Sequence, residues 1–130
     1  MTIDDERAIR ELILSWMLAT QAGDIAHLKL LMAEDVVFLV PGQPPMRGRE
    51  SFAATFATAL ENFQIHPESA IQEIEVFGEH AYCWNHLTVT MTPKNDATPI
   101  RRVGPTLTVL KKQQNGRWVI ARDANMLAMA

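Results

Sequence analysis

The chain has 130 residues, 48% hydrophobic and 21% charged, with twelve basic against fifteen acidic side chains and a net charge of −3. This is the size and make-up of a single globular domain over 1–130, with enough core to need no disulfide or structural metal. It excludes a disordered chain, and without a basic surplus no nucleic-acid or anionic-membrane partner is expected. Cys83 is the only cysteine, so no intrachain disulfide forms, and it reads as a small buried apolar side chain. The N-terminal Met1-Thr2-Ile3-Asp4-Asp5-Glu6 is acidic where a secretory leader is basic. The longest aliphatic-aromatic run, Val36 to Val40, falls far short of the roughly 20 residues of a membrane helix. A cytoplasmic setting is therefore expected.

Thr2 reads as the N-cap of a first helix. Its stripe of Ala8, Ile9, Leu12, Ile13, Trp16 and Met17 recurs every three to four residues until Gly23 ends it. Asp24 caps a short second helix carrying Ile25, Leu28, Leu30 and Leu31. Val36 to Val40 is a β-branched and aromatic run, read as a strand and stopped by Pro41-Gly42. Pro41 to Gly48, with three prolines and two glycines, reads as a loop. Phe52, Phe56, Leu60 and Phe63 then define a third helix with Pro67 beyond its end.

From there the period changes to two. Strands are expected around Ile74 to Phe77, Ala81 to Met91, Arg101 to Lys112 and Arg117 to about Met126, with turns at Gly78-Glu79-His80 and Asn115-Gly116. Helices first and hairpin-linked strands after predict an α+β fold whose antiparallel sheet is covered on one face by the helices.

Several pieces of the chain, taken in order, resemble a known family. They are Trp16 with Gly23-Asp24, Leu31 through Asp35-Val36-Val37-Phe38, Pro41-Gly42, and Arg47-Gly48-Arg49-Glu50. Arg102-Val103-Gly104 to Leu110 and Asn115-Gly116-Arg117-Trp118 through Asn125 complete the set. The pattern resembles the SnoaL-like branch of the nuclear transport factor 2 superfamily, which includes ketosteroid isomerase-like proteins, and looks most like an SgcJ/EcaC-like subgroup. The resemblance implies a cystatin-like cone, a strongly curved sheet wrapped around the N-terminal helices with an apolar pocket at its open end. It also implies a homodimer through the outer face of the sheet. Relatives include isomerases, dehydratases, hydrolases, polyketide cyclases and non-catalytic association domains. Aligning Pro41 with the proline that follows the ketosteroid isomerase base puts Val40 in the base's place. A valine takes no proton, so that mechanism is not expected here.

Among chemically capable residues, Asp123 stands out because Ile120, Ala121, Ala124 and Met126 surround it in the last strand. A carboxylate in apolar surroundings has a raised pKa and can exchange protons near neutrality. The alternative is an ion pair with Arg122, Arg101 or Arg102. Asn125, two residues on, shares its face and is either a substrate-orienting amide or a backbone partner at the strand end. His86 shares a face with Tyr82 and Trp84, as an aromatic pocket wall, a dimer surface or a structural histidine; in the opposite register Asn85 matters instead.

Trp16, Phe38 and Trp84 are expected as apolar walls, with core packing as the alternative for Trp16 and Phe38. Arg102 is either a ligand contact or a solvated arginine. Phe52, Phe56, Phe63 and Trp118 read as structural. His80 and His86 would lie about 20 Å apart along a strand, and no HExxH, CxxC, GxGxxG or GxSxG is present, so neither metal nor cofactor is expected. The reading that follows is a small hydrophobic ligand and cofactor-independent acid/base chemistry on a carbonyl or polyketide-like compound. Asp123 and His86 would be catalytic, and Trp16, Phe38, Trp84, Arg102 and Asn125 would bind substrate. A non-catalytic ligand-binding or association module is the alternative.

Overall fold

The computed structural model describes residues 3–130. Thr2, the expected N-cap, lies outside them. The chain runs α1 (Ile3–Ala22), α2 (Ile25–Leu30), β1 (Met32–Leu39), β2 (Met46–Arg47), α3 (Arg49–Asn62), β3 (Phe63–Phe77), β4 (His80–Pro93), β5 (Ile100–Lys112), β6 (Trp118–Asn125) and β7 (Ala128–Met129). It is α+β, with the helices laid against a curved, unclosed sheet. None of the described helices is long and apolar enough to cross a membrane.

The start and stop signals act as their chemistry requires. Gly23 takes φ +70°, and the Asp24 and Gly23 amides donate back to the Ala19 and Thr20 carbonyls, satisfying the last turn of α1. The Asp24 carboxylate then accepts from the His27 amide and starts α2. At the other end of α1, Asp5 Oδ1 accepts from Lys112 Nζ at 3.1 Å and from Trp118 Nε1 at 3.2 Å. These bonds tie the start of the helix to the β5–β6 hairpin and give Trp118 its structural role.

The sheet runs β2-β1-β6-β5-β4-β3, with β7 added against β5. The four long strands β3 to β6 form the expected antiparallel meander. The sheet as a whole is mixed, because β1 lies parallel to β6. Local pattern carries no information on this point: β1 reaches β6 by way of α3 and the whole meander. The pairing is also irregular. Met32 faces Ile120 while Val37 already faces Arg122, so β1 bulges between them. Arg122 Nη1 fills that bulge, donating to the Asp35 carbonyl at 3.0 Å and to the Ala121 carbonyl.

Three readings differ from expectation. Met46–Arg47, inside the segment read as a loop, forms β2 against β1. β1 starts at Met32, not Val36. β3 starts at Phe63, directly out of α3, and contains Pro67 paired with Val89. A proline inside a strand is tolerated here because β3 is the sheet edge. The core lies between the helices and the inner face of the sheet. Ile9, Leu12 and Ile13 of α1, Leu28 of α2, Val36, Cys83, Leu110 and Ile120 are buried there.

Candidate active site

Alternation along a strand sends neighbouring side chains to opposite faces. On β4 the burial pattern puts Ala81, Cys83 and Asn85 inside, and His80, Trp84 and His86 outside. On β5 Thr106, Thr108 and Leu110 point inward. Register then brings the inward residues together: Cys83 lies opposite Thr108, which lies opposite Asp123, and Asn85 lies opposite Thr106. The inner face of three adjacent strands therefore carries a cluster of polar side chains where aliphatic ones would pack a core.

The cluster borders a cavity of about 60 Å³ lined by Ile13, Trp16, Met17, Phe38, Asn85, Leu87, Thr106, Thr108, Ile120 and Asp123. The helix period supplies one wall, since Ile13, Trp16 and Met17 are one turn apart on α1. Phe38 of β1 supplies another. Its ring stacks on Phe52 of α3 at 4.8 Å, and Phe52 in turn lies 5.4 Å from Trp16. Wider hollows open on the surface, one of them of about 510 Å³ beside Glu61, Pro93 and Lys94. They are shallow and hold no comparable set of buried polar groups.

Among the described residues, Asp123 is the one ionisable side chain lining the inner cavity. Thr108 Oγ1 donates to its Oδ1 at 2.6 Å, and no other hydrogen bond to it is found among the described residues. Burial pushes the carboxyl up to about 6; the Thr108 hydroxyl acts in the opposite sense by stabilising the charged form. The arginines weighed as partners are used elsewhere or remote. Arg122 is held by β1 backbone, Arg101 pairs across the sheet with Thr90, and Arg102 is exposed with Val89 and Met129 as its strand partners. Arg102 is thus not brought to the cavity.

Three further expected site residues stand elsewhere. His86 is exposed on the outer face, and Trp84, 38% exposed, lies on that face too. The one-residue offset that brings Asn85 in puts both out. Asn125 stands at the end of β6, where its Oδ1 accepts from the Leu127 amide at 3.3 Å, so it shapes the turn into β7. Trp16, Phe38 and Asp123 are brought together as expected. Asn85, Thr106 and Thr108 complete the set. Alternation named Asn85 as the residue of the opposite register, whereas the two threonines read as ordinary strand formers.

Asn85 is 3% exposed. Its Oδ1 accepts from Cys83 Sγ at 3.0 Å. Cys83 is fully buried, and its thiol is pushed up to about 11, by burial first; Arg10 lowers it and the Asp123 charge adds to the rise. The thiol therefore stays protonated and remains a donor. Among the described residues no group of three or more His, Cys, Asp or Glu side chains is placed to hold a metal ion.

The model of the SnoaL-like domain matches residues 1–123. This chain belongs to the SnoaL-like domain family. The match is to the SnoaL-like domain and does not reach the SgcJ/EcaC-like subgroup. A conserved protein from Planctomyces limnophilus DSM 3776 shares 32% identity over 99% of this chain and 100% of its own, with a TM-score of 0.95. A nuclear transport factor 2-like superfamily protein from Salmonella enterica serovar Typhimurium LT2 shares 20% identity over 92% of this chain and 87% of its own, at a TM-score of 0.83. The fold also matches a hexachlorocyclohexane dehydrochlorinase (LinA, type 2), at 11% identity over 98% of this chain and 90% of that one, with a TM-score of 0.82. The curated proteins give no match. The SnoaL-like chain thus has the nuclear transport factor 2-like fold, which enzymes of the dehydrochlorinase type share; fold alone does not carry an activity across.

Proposed function

We propose that this SnoaL-like protein binds a small hydrophobic carbonyl or polyketide-like compound in the inner cavity and carries out cofactor-independent acid/base chemistry on it through Asp123. The observation that supports the reading is a carboxylate set among Trp16, Phe38, Met17 and Ile120 with one oxygen held by Thr108 and the other free of protein partners. An aspartate shifted to about 6 is mostly ionised at pH 7 yet basic enough to take a proton efficiently.

In the proposed step the carboxylate takes a proton from a carbon next to an electron-withdrawing group. The proton is then returned at another carbon, which isomerises the substrate, or retained while a leaving group departs with the bonding electrons, which is an elimination. A fold neighbour whose name records a dehydrochlorination fits the second outcome. At about 60 Å³ the cavity is below the usual 300–1,000 Å³ of drug-sized sites, so larger substrates require lining side chains to move aside.

The test is a thermal-shift screen of small carbonyl compounds followed by turnover assays on the hits. Asp123→Asn is expected to keep binding and lose at least about a hundredfold in kcat. Unchanged turnover overturns the acid/base role and leaves the non-catalytic reading. We also propose that two copies pair through the outer face of the sheet, where Leu39, Ala124, Leu107 and Trp84 form one row across four strands and Leu39 and Leu107 are 49% and 43% exposed.

A further inference from the structure

Asn85 is a polar residue at a position where a core needs an aliphatic one. Burying an amide without partners costs about 1–3 kcal/mol, so such groups are normally satisfied. Its oxygen is satisfied by the Cys83 thiol. Its nitrogen makes no hydrogen bond to any described residue, yet it is not one of the sealed, unpartnered polar atoms, which are Thr20 Oγ1 and Ser69 Oγ. The nitrogen therefore opens on the cavity that the residue lines. Thr106 beside it lines the same cavity, and its hydroxyl likewise makes no hydrogen bond to a described residue and is not sealed.

With the neutral Cys83 thiol donating to Oδ1, the nitrogen end of the amide is turned away from the sulfur. Oδ1 faces Cys83, and the two N–H donors face the cavity. On the same inner face, two strands away, Asp123 also lines the cavity, an acceptor when ionised, and no Lys, Arg or His is among the described residues that line it. An anion entering here meets a carboxylate and no cationic side chain on the cavity wall; Arg10, the cation that acts on the Cys83 thiol, is not among the lining residues. A neutral oxygen acceptor meets an unused donor pair.

We propose that Asn85 is the oxygen-recognising residue of this cavity, that Cys83 is the positioning residue that aims its amide, and that the ligand is an uncharged molecule presenting a carbonyl or hydroxyl oxygen to Asn85. This rests on the cavity being a ligand site, and it goes beyond that reading by assigning the acceptor subsite and excluding anions. In catalysis the same N–H groups would stabilise oxygen charge that develops as Asp123 removes the proton, with no group transferred to Asn85 or Cys83.

Three probes of nearly equal shape separate the possibilities: acetone (neutral), acetate (anion) and acetamidinium (cation), each titrated into 15N,13C-labelled protein at pH 7.5. The Asn85 side-chain NH2 pair, assigned by its disappearance in Asn85→Leu, and the Thr108 methyl report separately on the acceptor subsite and on the cavity at large. Acetone is expected to shift both, and acetate to bind at least tenfold more weakly. Asn85→Leu, which keeps the volume, should weaken acetone at least about threefold, the loss of one ordinary hydrogen bond. Cys83→Ser keeps a donor and should retain the wild-type Asn85 shifts. Cys83→Ala should move them and weaken acetone, and recovery in the serine variant separates aiming from mere packing.

Acetone that shifts Thr108 but not the Asn85 amide overturns the proposal while leaving the cavity a ligand site. So does acetate binding as well as acetone, or acetamidinium binding better than either. Silence of every cavity signal with all three probes overturns both.

Discussion

The two faces of β4, β5 and β6 each depart from the usual pattern at one patch. The inner face, packed under α1, carries Cys83, Asn85, Thr106, Thr108 and Asp123. The outer face, open in the single chain, carries Trp84, Leu107 and Ala124 in one row, with Tyr82 and His86 beside them. Ordinary half-buried strands put apolar side chains inward and polar ones outward. Here a polar cluster sits inside and an apolar row outside, and each departure from the local rule is a place where stability has been given up for something else. On the function proposed above, the inner cluster serves a ligand and the outer row serves a second copy of the chain.

The inner face breaks most completely at Asp123. Besides the loss of turnover set out above, Asp123→Asn is expected to stabilise the protein. Its carboxyl binds a proton more tightly folded, at about 6, than at its ordinary value of 3.8. The folded state thus holds the extra proton between those values, and stability falls as pH rises through that window. Above it the buried charge costs about 1–3 kcal/mol. Thermal unfolding should show the asparagine variant melting several degrees higher at pH 8 and no higher at pH 4. A variant that melts lower at pH 8 would mean the carboxylate is held by interactions stronger than its desolvation.

Gly104 tests how tightly the inner face is closed at its far end. A Cβ there would run into the Met126 carbonyl oxygen and lie 3.1 Å from Leu127 Cα, both backbone. Gly104→Ala should therefore displace the segment that carries β7 back onto β5 and cost about 2–4 kcal/mol in chemical denaturation.

Outer-face changes should do less to the monomer. Trp84→Lys with Leu107→Lys is expected to halve the mass seen by light scattering if copies pair there. The unfolding free energy at monomer concentrations should change by less than about 1 kcal/mol, because both side chains are substantially exposed. The smallest effect is expected at His86. His86→Ala should leave turnover within about twofold, since its ring is on the face opposite Asp123; a large loss would mean that the two faces communicate through the sheet or across a dimer.

How much of this was legible beforehand follows from the range of the interactions involved. Helix stripes, the Gly23-Asp24 junction, the Asn115-Gly116 turn and the meander are set by residues near one another in sequence. Each could be read from spacing and turn chemistry. Asp123 was legible too, because a charge among apolar neighbours violates the pattern of its own strand. The entry of β3 straight from α3 was hidden by Pro67, which only its place at the sheet edge makes acceptable. The assignment of Trp84 and His86 to the pocket failed for a different reason. Period-two alternation says which residues share a face, and it is silent on which face is inside.

The amino-acid sequence by itself thus determined the fold class, the order of elements, the apolar walls offered by Trp16 and Phe38, and the carboxylate at the centre. Only the tertiary structure decided the parallel pairing of β1 with β6, the inward turn of Asn85 instead of His86, and the alignment of Cys83, Thr108 and Asp123 across three strands. Those outcomes depend on register between strands distant in the chain. A shift of one residue in any pairing would exchange every inward side chain for its neighbour.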